Sequence, residues 1–69
     1  MKYEIKYESI YREKEWVTLT KEIEADRDAE AIKIAQKFIQ ELNKSKGIER
    51  FELRKVIRID QEKKTTIVL

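Results

Sequence analysis

The chain has 69 residues, 43% of them charged, yet a formal net charge of only +2; that length allows one domain, residues 1–69, with one small core. It holds no Cys and no His, which excludes disulfides and the usual structural zinc sites as supports for that core. No apolar run approaches the ~18 to 20 residues of a membrane span, and the opening Met1-Lys2-Tyr3-Glu4 has no signal-peptide core, so the expectation is a soluble, cytoplasmic protein.

The spacing of apolar residues changes period twice. A first strand is predicted over Lys2–Ile10, with Tyr3, Ile5 and Tyr7 on one face and Lys2, Glu4, Lys6 and Glu8 on the other. Tyr11–Lys14 reads as a turn. A second strand follows over Trp16–Ala25, with Val17, Leu19, Ile23 and Ala25 inward and Trp16, Thr18, Thr20, Glu22 and Glu24 outward. Helical spacing takes over from Asp26 to Gly47. Asp26, Asp28 and Glu30 suit the positive end of the helix dipole, Ala31, Ala35, Phe38, Ile39 and Leu42 form the apolar stripe, and Gly47 suits a left-handed cap. Alternation returns in a third strand, Arg50–Asp60, with Phe51, Leu53, Ile57 and Ile59 inward and Val56 outward. After a turn at Gln61–Lys64, a fourth strand is predicted over Thr65–Leu69.

Two lysines interrupt this pattern. Lys21 lies between Leu19 and Ile23, and Lys55 between Leu53 and Ile57. An ammonium on a core face is costly unless it reaches water, and it reaches water at a sheet edge, where charge also deters aggregation. The expectation is therefore an α+β fold, ββαββ, one helix on a four-stranded mixed sheet of order 2-1-4-3. The alternative order is 2-1-3-4, wholly antiparallel. A bulge at Arg54-Lys55 would instead rotate Lys55 outward and bring Val56 in.

The Met-x-Tyr opening, the Ala-rich helix between two hairpins and the segment Asp60-Gln61-Glu62-Lys63-Lys64-Thr65 resemble the β-grasp layout of the immunoglobulin-binding domains of protein G. The resemblance covers the order of elements rather than identities. The first hairpin is longer here, and the closing strand lacks a Phe. It implies the 2-1-4-3 order; fold alone does not imply antibody binding.

Little in the chain suits catalysis. General acid–base and nucleophilic chemistry most often draw on His or Cys; Ser9 and Ser45 read as ordinary residues at a strand end and a helix end. Asp26 and Asp28 read as helix capping rather than a magnesium or calcium site. A single glycine cannot build a phosphate-cradling loop. The expectation is a non-enzyme with no catalytic residue, metal, cofactor or small-molecule substrate.

Two binding surfaces remain. Eight basic and ten acidic residues precede Lys44, whereas eight basic and four acidic follow from there. A basic second half offers Lys46, Arg50, Arg54, Arg58, Lys63 and Lys64 to a nucleic acid. The open sheet face, with Ile10, Trp16 and Val56 at outward positions, offers a patch to a protein partner or a second copy. The second of these is the favoured reading. Clean patterning without Pro, His or Cys also fits a designed sequence or a small phage-type protein, although the turns lack the Gly and Asn of a designed hairpin.

Overall fold

The structure is a computed structural model that describes residues 1–11, 15–45 and 49–67. Tyr11 belongs to the first strand, whereas residues 12–14 of the predicted Tyr11–Lys14 turn, the predicted cap at Gly47, the predicted contact residue Lys46 and the end of the predicted fourth strand at Val68 and Leu69 lie outside the described residues. So do the side chains of Ile10, Tyr11, Glu15, Ser45 and Glu49.

The elements are β1 (Lys2–Tyr11), β2 (Glu15–Glu24), α1 (Asp28–Ser45), β3 (Glu49–Asp60) and β4 (Lys63–Ile67). The order of elements is the predicted one, whereas the strand order is not. The sheet runs β2-β1-β3-β4 and every pairing is antiparallel. This corrects the expected mixed sheet of order 2-1-4-3 and matches the alternative.

The physical reason lies at Arg54. Tyr7 pairs with Leu53 but Lys6 pairs with Lys55, so Arg54 is an extra residue in β3 and the register shifts there. A bulge of this kind places two consecutive side chains on one side of the strand and reverses the parity of everything after it. Arg54 and Lys55 are both exposed. Beyond them Val56 turns into the core, fully buried, and Arg58 follows it to the helix side, while Ile57 and Ile59 pass to the open face. With Lys55 carried outward, β3 no longer needs an edge and can lie beside β1.

Lys21 keeps its predicted position. It points to the helix side of β2, which is an edge strand, and its ammonium sits 5.8 Å over the Phe38 ring. Its stem crosses apolar surface while its charge stays wet.

The core combines large sheet residues with small helix residues. Tyr3, Ile5 and Val56 are fully buried and share one core cluster with Ala31 and Ala35, whose short side chains let α1 approach β3 closely. Tyr7 adds an edge-to-face contact with Phe38 at 5.3 Å and a tilted one with Phe51 at 6.2 Å, geometries that aromatic pairs prefer. At the start of α1, the Glu30 carboxylate accepts the Asp26 backbone N–H at 3.3 Å. At its far end Asn43 grips β3, its Oδ1 accepting from Phe51 N at 2.8 Å and its Nδ2 donating to Phe51 O at 3.1 Å. Among the described residues β4 pairs with Val56–Asp60, and Asn43 takes the backbone N–H and C=O of Phe51 in the first half of β3.

Candidate functional site on the open sheet face

One face of the sheet carries α1; the other carries no element among the described residues. Its central row is Lys2, Glu4, Lys6 and Glu8 on β1, flanked by Trp16, Thr18 and Thr20 on β2 and by Glu52, Arg54, Ile57 and Ile59 on β3. Trp16 is 48% exposed and lies at the start of β2, opposite Ile10. The bulge aims Arg54 across the sheet. Its guanidinium lies 4.8 Å from the centre of the Trp16 ring, and it pairs with Glu8 and, at 3.2 Å, with Glu52. A cation over an indole face is the strongest form of cation–π contact.

A second polar cluster joins β1 to β4 on the same face. Glu4 accepts from Lys64 at 2.9 Å and lies 3.7 Å from Lys6. The Lys64 hydrogen bond is the main reason that the Glu4 carboxyl is held below its ordinary range, against the opposing effect of burial.

The predicted protein-contact residues therefore separate. Trp16 is on the open face and Ile10 lies beside it in the β1 ladder. Val56 is in the core, because the bulge inverts its parity; its assignment to an outward patch is corrected.

The predicted nucleic-acid contacts also disperse. Arg50 is exposed opposite Ile10, and Lys63 is exposed where β4 begins. Arg54 and Lys64 are engaged by carboxylates on the open face. Arg58 faces the helix side, where its guanidinium holds both oxygens of Asp28, at 2.9 and 3.2 Å, and Asp60 at 2.9 Å. These carboxylates compete with any phosphate for the same donors, so among the described residues Arg50, Arg54, Arg58, Lys63 and Lys64 do not form one continuous cationic track.

Ile57 and Ile59 belong to the open face, as the alternative of a bulge at Arg54-Lys55 requires and the unbroken strand does not. One feature escaped the reading of the sequence, a triad on the helix side. Tyr3 Oη donates to Asp28 Oδ1 at 2.8 Å while Arg58 holds the same carboxylate. Burial, then the bond to Asp28, pushes the Tyr3 phenol up to about 12. The Tyr3 bond, followed by Arg58, lowers Asp28, and Asp28 in turn raises Arg58. Each member stays in its ordinary charge state at neutral pH, which suits a clasp.

Among the described residues no group of three or more Asp or Glu side chains is placed to hold a metal ion, and no helix is long and apolar enough to cross a membrane. Comparison of the chain with protein-family models, curated proteins and solved structures finds no match.

Proposed function

We propose that this chain is a small non-enzymatic interaction domain that associates through its open sheet face, with a second copy of itself as the occupant. The observation that carries this reading is the half-exposed Trp16 held under the Arg54 guanidinium on the uncovered face. Trp and Arg are the residue types most often found as anchors of protein interfaces, and here each restrains the other before any partner arrives.

Charge supports a second copy as the partner. The β1 row reads Lys2, Glu4, Lys6, Glu8, alternating in sign and antisymmetric about Ile5. A two-fold axis lying in the face at that level and crossing the strands sets Glu4 over the other copy's Lys6 and Lys2 over its Glu8. An isologous contact requires self-complementarity of this kind.

Sedimentation from about 10 μM to 1 mM tests this, since weak transient pairs fall in that range. The expected result is a dimer that dissociates on Trp16→Ala and weakens as salt rises. A monomer throughout that range overturns the reading.

A further inference from the structure

A different surface offers a site of another kind. β2 pairs with β1 along its inner side, and among the described residues no strand pairs with its outer side. The edge is ten residues long. An unpaired edge of that length is a template for another extended chain. β2 also projects beyond the cover of α1. Val17 on its helix side is 51% exposed, and Leu19 and Ile23 are only partly covered.

Between this edge and α1 runs a groove lined by Lys21, Ile23, Ile34, Lys37, Phe38 and Glu41. Ile23, Ile34 and Phe38 make its floor apolar. Lys21 and Lys37 stand on opposite walls, and neither pairs with a carboxylate among the described residues. The Lys21 ammonium lies over the Phe38 ring, both residues lining the groove.

We propose that the β2 edge and this groove form a strand-addition site for an extended peptide that carries an acidic side chain between apolar ones. In strand addition the backbone ladder supplies affinity, and every second side chain, ~6.6 Å apart, enters the adjoining groove. An acidic side chain entering beside Lys21 meets its ammonium on the β2 wall, and the α1 wall offers Lys37 together with Glu41, so the two lysines outnumber the one carboxylate of the lining; apolar side chains before and after it meet Val17 and Leu19 on one side and Ile23 on the other. A second copy fits this edge poorly. Self-pairing of β2 would bring another Lys21 and another Lys37 into the same seam, and like charges at a contact oppose association. The inward lysine thus selects against the chain's own edge and for an acidic one. The open-face association uses other residues, so each reading can fail without the other.

The test is selection of the intact domain against a phage-displayed library of random twelve-residue peptides, followed by NMR mapping of an enriched peptide. Enriched sequences are expected to alternate apolar residues around Asp or Glu. Their shift changes should gather on Val17–Ile23 and Ile34–Glu41, with slowed amide exchange along β2. Replacing the acidic residue of the peptide by Lys should weaken binding about tenfold or more. The double variant Lys21→Glu and Lys37→Glu should reverse that preference and bind the Lys peptide better, a rescue that a merely unfolded variant could not give. Failure to enrich any peptide, enrichment without acidic residues, mapping to the open face, or indifference to the charge reversal would each overturn the proposal.

Discussion

Tyr3 in β1 donates its phenolic O–H to the Asp28 carboxylate 2.8 Å away and so fastens the first turn of α1 to the centre of the sheet. The ring is fully buried while the carboxylate it reaches is only partly so. Removing the hydroxyl with Tyr3→Phe keeps the packing and deletes one hydrogen bond, an expected loss of about 1 kcal/mol in denaturant unfolding. Because that bond is the largest cause of the lowered Asp28 pKa, the carboxyl should titrate closer to its ordinary 3.8 in the variant, read from its carbon shift by NMR.

Alkaline stability should report the same phenol. Its folded pKa is raised from 10.0 to about 12, so the folded state binds the proton more tightly than the unfolded chain does. The contribution is complete below pH 10 and disappears as the pH rises through about 12. Urea midpoints measured from pH 8 to 12 should fall across that window in the wild type. In Tyr3→Phe this component of the fall should be missing.

How much of this was legible in the sequence follows from what the period of a pattern can encode. The alternation through Tyr3, Ile5 and Tyr7 and the helical spacing of Ala31 and Ala35 are properties of single elements, and those elements formed as expected. Strand order depends on which strands pair, and the favoured order 2-1-4-3 held only for an unbroken β3, the bulge at Arg54-Lys55 being the alternative that the structure adopts. One inserted residue, Arg54, was enough to invert that argument and, with it, the placement of Val56, Ile57 and Ile59. Trp16 kept its outward position because it lies in a strand without a bulge. Its contact with Arg54 was hidden because a bulge sets the direction of a side chain in three dimensions, where sequence spacing has no expression.

The bulge itself can be tested by deletion. Removing Arg54 leaves Leu53 and Lys55 adjacent and restores simple alternation, with Leu53 and Val56 still inward. The variant should therefore keep its circular dichroism spectrum and amide-exchange pattern, losing only the contacts of Arg54. Val56→Ala should cost about 2 kcal/mol, as for a buried side chain that leaves a cavity, whereas Lys55→Ala should stay within about 0.5 kcal/mol. If β3 were regular, Val56 would already face outward, Val56→Ala would cost little, and the deletion would swap Val56 inward and Ile57 and Ile59 outward.

Asn43 makes two bonds to one residue of β3, holding Phe51 N and Phe51 O together in the manner of a neighbouring strand. Asn43→Ala should lose about 1 to 2 kcal/mol, since two modest hydrogen bonds give way to partial hydration. The sharper measurement is local. The Phe51 amide should exchange faster in the variant by more than the change in global stability explains, while the amides of Tyr3 and Ile5 should change only as the global stability does.

The hairpin between β3 and β4 is tighter than its sequence suggests. Asp60 pairs directly with Lys63, leaving Gln61 and Glu62 as a two-residue loop with φ of 38° and 74°. Two successive residues at positive φ are the mark of a type I′ turn, whose preferred sequence is Asn-Gly. Here both positions carry a Cβ on a long side chain, and such residues cost roughly 1 to 2 kcal/mol in the left-handed region where Gly costs little. Replacing Gln61 and Glu62 by Asn and Gly should relieve part of that strain and raise stability by about 1 to 2 kcal/mol. For a domain of this size each kcal/mol corresponds to roughly 4 to 8 °C in Tm, readily seen by calorimetry. Glu62→Gly alone should give the larger share, because Asn only lessens the penalty at position 61 whereas Gly removes it at 62. A longer, looser turn at Gln61–Lys64 would predict the opposite sign, since Gly would then only add freedom to the unfolded chain.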